Sequence, residues 1–188
     1  RELARIMGTA KRYRTDIDLS AFSPSDDLEH PPEPVPVDVP PSRSDVDAAL
    51  EAFRGEIAQA PPTYSAIKVN GKRAYHLARK DRIDSLEARP VMVHDLTVAT
   101  YEWPVVTLDI HCGKGFYVRS LARDLGVRLG TGGYCRSIRR TAVGPFRLEH
   151  ARTLSQLPPS LRQTDLIGLD EAMSMVSRDG AATDPRDP

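Results

Sequence analysis

Residues 105–143 read VVTLDIHCGKGFYVRSLARDLGVRLGTGGYCRSIRRTAV, and the punctuation of this stretch decides the class of fold. Val105–Cys112 has the composition of a strand, and Gly113-Lys114-Gly115 is a turn. Val118, Leu121, Ala122, Leu125 and Leu129 then recur at i, i+3, i+4, i+7 and i+11, so residues 116–129 form a helix buried along one side. Gly130, Gly132 and Gly133 end that helix, and Tyr134–Val143 returns as a strand.

Working outward, the same grammar repeats. Tyr13, Thr15, Ile17 and Leu19 alternate with polar residues, the pattern of a half-buried strand. Six prolines between residues 31 and 41 exclude helix and sheet interior there, so residues 24–43 form a proline-rich loop. Ser44 and Asp47 match a capping box opening a helix whose apolar side is Val46, Leu50, Phe53 and Ile57. Residues 64–69 and 91–101 read as further strands, Asn70-Gly71 as a tight turn, residues 73–80 as a short basic helix, and 165–176 as a last helix. Strands outnumber helices and follow one another through short turns. The chain therefore reads as an α+β fold with a mixed, mostly antiparallel sheet and flanking helices, one domain over residues 1–176 and a disordered polar tail over 177–188.

Bulk properties narrow the function. No apolar run approaches the roughly 20 residues of a membrane-spanning helix. Cys112 and Cys135 lack metal-ligand spacing and read as two buried reduced thiols of a cytoplasmic protein. The five histidines show no metal spacing either, and His111 reads as a packed core group. Net charge is zero, but the charges are segregated. Residues 16–51 hold ten acids against Arg43, residues 57–80 hold five bases and no acid, and residues 111–152 hold nine bases against Asp124 and Glu149. Such blocks are either a one-sided footprint for a polyanion or solvated faces whose signs cluster.

Three segments interleave aromatics with cations: Lys11-Arg12-Tyr13-Arg14; residues 59–79 with Tyr64, Lys68, Lys72, Arg73, Tyr75, His76 and Arg79; and residues 113–140 with Lys114, Tyr117, Arg119, Arg136, Arg139 and Arg140. Rings stack on unstacked bases while Arg and Lys meet phosphates, so the combination suits RNA. Each has a plainer reading. Tyr13 is then half-buried packing, Arg119 pairs with Asp124 or Glu149, and Arg139-Arg140 is a charged edge that resists strand pairing.

The longer motifs resemble one family. Residues 59–79 (QAPPTYSAIKVNGKRAYHLAR), 111–130 (HCGKGFYVRSLARDLGVRLG) and 137–146 (SIRRTAVGPF), with Lys11-Arg12-Tyr13, are similar to bacterial TruB pseudouridine synthases from residue 1 to about residue 170. The resemblance implies the pseudouridine-synthase fold and isomerisation of uridine 55 in the T-loop of tRNA, by a monomer without metal or cofactor. It also implies flipping of the target base into the pocket and attack by an aspartate nucleophile. By motif, Tyr13 stacks on the flipped base, Tyr117 lines the pocket, Arg119 pairs with the nucleophile, and Ile138 is an apolar pocket residue. Lys11, Arg12, Tyr64, Lys68, Lys72, Arg73, Arg79, Lys114, Arg139 and Arg140 grip the T-arm. The family's nucleophile lies in a Gly-x-Leu-Asp motif upstream of the tyrosine motif, and none of the twelve residues before Tyr13 supplies it. Residues 20–27 also depart from the family's threonine-and-aspartate pattern, and Gly133-Tyr134 stands where Ala-His is common. The expectation is an enzyme whose nucleophile lies upstream of this chain, leaving the chain alone inactive. The alternative is a relative of the same fold that binds and refolds tRNA without chemistry.

Overall fold

The computed structural model describes residues 2–65, 68–69, 72–73 and 86–182. A short helix α1 (Glu2–Gly8) leads into strand β1 (Lys11–Asp18), followed by the two-residue bridge β2 (Ala21–Phe22) with β3 (Glu33–Pro34). Next come α2 (Arg43–Leu50), β4 (Gly55–Gln59), and the small hairpin β5 (Lys68–Val69) with β6 (Lys72–Arg73). The long hairpin β7 (Arg89–Glu102) and β8 (Val105–Cys112) then feeds helix α3 (Val118–Leu129), strand β9 (Tyr134–Val143), the short β10 (Phe146–Arg147) and helix α4 (Leu169–Ala182).

Six strands form one sheet in the order β10-β9-β1-β8-β7-β4, and every neighbouring pair is antiparallel. Alternation along β8 shows why one face is covered: Val106, Leu108, Ile110 and Cys112 are buried, while the residues between them are not. Onto that face α2 delivers Val46, Ala49 and Leu50, and α3 delivers Leu121, Ala122 and Leu125, closing the core with Ile17, Leu19, Val93 and Leu96.

The predicted stripe of α3 holds, with only Leu129 less than fully buried. Other expectations shift. The cap of α2 is Ser42, whose hydroxyl accepts the Asp45 N–H at 3.2 Å while its own N–H donates to Asp45 Oδ2 at 2.7 Å. The predicted Asp47 pairs with Arg43 instead, because the helix starts as soon as the prolines end. Ile57 is not helical: Gly55 adopts φ +74°, the chain reverses, and β4 joins the sheet edge. Arg73 is in a strand, and the rest of the predicted basic helix lies outside the described residues. His111 is not a core group. It sits on the face opposite the buried one, its ring 4.8 Å from that of His94. Helix α4 begins at Leu169 and continues to Ala182, past its predicted end.

Candidate active site around Arg119

Helix α3 begins at Tyr117, whose side chain makes no capping bond. The buried side chain of Gln59, last in β4, does the work instead: its Oε1 accepts the Tyr117 N–H at 2.8 Å and its Nε2 donates to the Tyr117 carbonyl at 3.1 Å. Ser120 adds a bond to the Ala60 carbonyl at 2.8 Å. The first turn of α3 is therefore pinned to the end of β4, and Arg119 leaves it in a defined direction.

The Arg119 guanidinium, 20% exposed, ties two other pieces of chain to α3. Nη1 donates to Asp27 Oδ2 at 2.9 Å and to the Ser25 carbonyl at 3.0 Å, and Nη2 donates to the Tyr64 carbonyl at 2.9 Å. Asp27 is itself held, its Oδ1 accepting the Ser25 hydroxyl at 2.7 Å and the Glu29 N–H at 2.9 Å. Tyr64 rests its ring 4.6 Å from that of His30. One turn along α3, Arg123 pairs with Asp26 at 3.1 Å and with Asp124 at 2.9 Å, and donates to the Ala60 carbonyl at 3.1 Å. Asp26 is buried with φ +60°, and burial pushes its carboxyl up to about 6 despite the pull of Arg123 and Arg119.

The sheet supplies the floor. Thr15 and Ile17 point toward α3, and the Cys135 thiol beside them donates to the Val118 carbonyl at 3.7 Å. Ile138 stands directly across from Thr15 and Arg140 across from Tyr13, so both share the face that carries α3. Ile138 is nevertheless 44% exposed, because the helix does not extend over it. Burial raises the Tyr13 phenol, while a hydrogen bond from Arg140 acts against it. Burial also pushes the Cys112 and Cys135 thiols up to about 12, so neither is a nucleophile near neutrality.

The predicted residues thus fall into groups. Tyr117 and Arg119 open α3, Tyr13, Ile138 and Arg140 lie on the sheet face that carries α3, and Tyr64 joins Arg119 through its carbonyl. Arg12 and Arg139 occupy the opposite face, because they alternate with Tyr13 and Arg140 along their strands. Lys11 folds back on the preceding segment: its ammonium donates to the Met7 and Thr9 carbonyls at 2.6 Å each, and burial lowers its pKa. Lys114 is exposed in the turn before α3. Lys68, Lys72 and Arg73 lie on the β5–β6 hairpin, and Arg79, Tyr75 and His76 lie outside the described residues. Arg119 pairs with neither Asp124 nor Glu149. Its partner is Asp27, in the stretch that departs from the expected motif.

Sequence reasoning missed Asp26, Asp27 and Arg123. The available signal was a tandem of carboxylates after the first strand and a pair of arginines four apart on one helix, which share a face. Among the described residues, no group of three or more His, Cys, Asp or Glu side chains could hold a metal ion. No helix among them is long and apolar enough to cross a membrane.

Comparison with known proteins identifies the family of the chain. Residues 1–118 match the model of the TruB family pseudouridylate synthase N-terminal domain, and residues 119–173 match that of the tRNA pseudouridylate synthase B C-terminal domain. The chain is 41% identical over 172 residues to tRNA pseudouridine synthase B of Arthrobacter sp. (strain FB24), covering 88% of this chain and 56% of that protein. It is 44% identical over 166 residues to the enzyme of the same name from Synechococcus sp. (strain CC9311), covering 84% and 55%. The chain therefore spans about half the length of these curated relatives. Among solved structures, a Cbf5-Nop10-Gar1 complex aligns with a TM-score of 0.55 at 24% identity, over 78% of this chain and 34% of that one, a likeness of fold. The sequence matches establish the family and the antiparallel sheet agrees with it: the chain belongs to the TruB family of pseudouridylate synthases.

Proposed function

We propose that this chain forms most of the catalytic domain of an enzyme that converts uridine 55 in the T-loop of tRNA to pseudouridine, with the nucleophilic aspartate supplied by sequence upstream of Arg1. The single observation that carries this reading is the position of Arg119 in the first turn of α3, a turn that the Cys135 thiol seats on the sheet face also bearing Tyr13 and Ile138. A guanidinium has five N–H donors, and the three bonds to Asp27, Ser25 and Tyr64 use three. The two remaining suit a second carboxylate, held in a planar fork that a lysine would not provide.

We assign Asp27 a role other than nucleophile: its Oδ1 takes two hydrogen bonds from its own loop and its Oδ2 takes Arg119, which ties the carboxylate into that loop. It acts as a fixed counter-ion that keeps Arg119 aimed. On the sheet, Tyr13 offers a ring on which a flipped uracil stacks, Ile138 supplies apolar contact, and Tyr117 lines the entrance. Arg140 and Lys114 meet the phosphates of the T-arm, and Lys68, Lys72 and Arg73 of the β5–β6 hairpin supply further cations for it. Arg12 and Arg139, on the far face, serve RNA only if the substrate wraps the sheet edge. The residues in these roles need no metal or cofactor, because the chemistry is nucleophilic attack, rotation of the detached base and reclosure through carbon.

The pairing of Arg119 with Asp27 also supports a second reading. An arginine whose charge is already matched does not require a nucleophile to be stable, so a relative that only binds and refolds tRNA would keep it. The deciding experiment joins the chain to its upstream coding sequence and assays pseudouridine in a T-arm transcript. Conversion that is lost in Arg119→Ala, with RNA affinity retained, supports the enzyme. Tight binding with no conversion in the parent refutes it in favour of the binding protein.

A further inference from the structure

We infer that Asp26 is a positioning residue: by gripping Arg123 it holds the loop of residues 23–30 on α3 at the height where Asp27 meets Arg119. Arg119 and Arg123 lie four residues apart, on one side of the helix and one turn from each other. Two consecutive carboxylates must therefore reach the same side of a helix, although neighbouring side chains of an extended chain point opposite ways. Asp26 resolves this by adopting φ +60°, a left-handed conformation that Asp tolerates better than most residues. The turn is then locked from behind, since the Asp26 carbonyl accepts the Cys135 N–H of β9 at 2.9 Å.

Arg123 makes the grip specific. It ties the Asp26 carboxylate to the Ala60 carbonyl at 3.1 Å, and Ala60 follows the β4 residue that brackets the start of α3. Loop, helix and strand end thus share one guanidinium. A buried ion pair of this kind adds little net stability, and its use is to select one arrangement among several. The groups facing Asp26 are Arg119, Arg123 and Asp124 from α3, Asp27 from its own loop and the Cys135 thiol from β9. Burial is the largest influence and lifts the carboxyl to about 6, Arg123 and Arg119 pull it down, and Asp124 and Asp27 push it up. The thiol, at about 12, stays protonated throughout. Proton uptake by Asp26 near pH 6 releases Arg123 to Asp124 and removes the second anchor of the Asp27–Arg119 pair.

The inference rests on Arg119 belonging to the active site, but its test reads Arg119 directly, so failure of the proposed activity leaves the test intact. The experiment is NMR of the full chain with labelled arginine guanidinium groups and labelled aspartate carboxyls, from pH 5 to 8. The expected result is a shift of the Arg119 guanidinium signal with the same midpoint as the Asp26 carboxyl, near pH 6. In Asp26→Asn, a residue that also accepts the left-handed backbone, that inflection is lost and Arg119 shows its acid-form shift at every pH. Arg123→Gln reads the same coupling from the helix side if Asp26→Asn does not fold, and the parent titration needs no variant at all. An Arg119 signal that ignores the Asp26 titration, or that is the same in parent and variants at pH 7.5, overturns the inference.

Discussion

Gly126→Ala sets two effects of known size against each other. In a helix interior, Ala is favoured over Gly by about 1 kcal/mol, which predicts a more stable protein. The packing says otherwise. A Cβ at position 126 would lie 2.2 Å from the Gly132 carbonyl oxygen, 2.4 Å from its carbon and 2.6 Å from the Gly133 nitrogen, all backbone atoms. Gly132 cannot retreat, because it is closed in by the Ala21 backbone and its N–H is bonded to the Leu19 carbonyl at 2.9 Å. The helix must therefore lift by about 1 Å, and a gap of that size forfeits a quarter to a half of each contact's dispersion energy beneath Leu121 and Leu125. Overpacking of this severity costs about 3 kcal/mol or more, which exceeds the propensity gain and leaves a net loss of about 2 kcal/mol. The control is Gly130→Ala, where φ is +69° and nothing lies within 4 Å, so only backbone strain of about 1–2 kcal/mol applies. Urea unfolding of parent and both variants measures the order. A Gly126→Ala protein as stable as the parent would refute the claim that close backbone approach, rather than helix propensity, governs the seat of α3. Because Arg119 projects from that helix, the same lift should lower conversion of a T-arm RNA by the chain joined to its upstream sequence.

Three further outcomes are expected. Arg119→Ala should lose about 2 kcal/mol of stability, between the exposed and fully buried ion-pair regimes, with Arg119→Lys intermediate, and equal unfolding midpoints would contradict the three-segment role of this guanidinium. For Asp26 the folded carboxyl, at about 6, lies above its ordinary 3.8, so the native state binds the extra proton between those values and stability falls as pH rises through that window. The full effect is about 3 kcal/mol, about 1.4 of it between pH 5 and 8, so Asp26→Asn should gain on the parent by that amount as pH is raised, and a stability difference independent of pH would exclude it. Neutralising Lys72 and Arg73 together should flatten the salt dependence of T-arm affinity by about one to two units of slope, and an unchanged slope would show that this hairpin meets no phosphate.

Helix α3, the alternating strands and the glycine turns around them are legible in the chain because they rest on local rules: a side-chain period of 3.6 or 2, and residues that only turns tolerate. The motif residues at the head of α3 are legible for the same reason, since Tyr117 and Arg119 hold fixed places in a short local pattern. Long-range pairing is not local. That Ile57 belongs to an edge strand depends on Gly55 reversing the chain and on Val91 being there to pair with it. That Arg12 and Tyr13, one residue apart, serve opposite faces was implicit in strand alternation, but which face is covered was decided by where α3 docks. The partner of Arg119 was the least legible feature. Asp27 lies 92 residues away in a loop outside the expected motif, and it reaches the helix only because Asp26 takes a left-handed turn and β9 holds that turn in place. Sequence pattern encodes which residues are equipped to form an ion pair; packing of distant segments decides which pair actually forms, because a partly buried guanidinium goes to the carboxylate that the fold brings within hydrogen-bond reach.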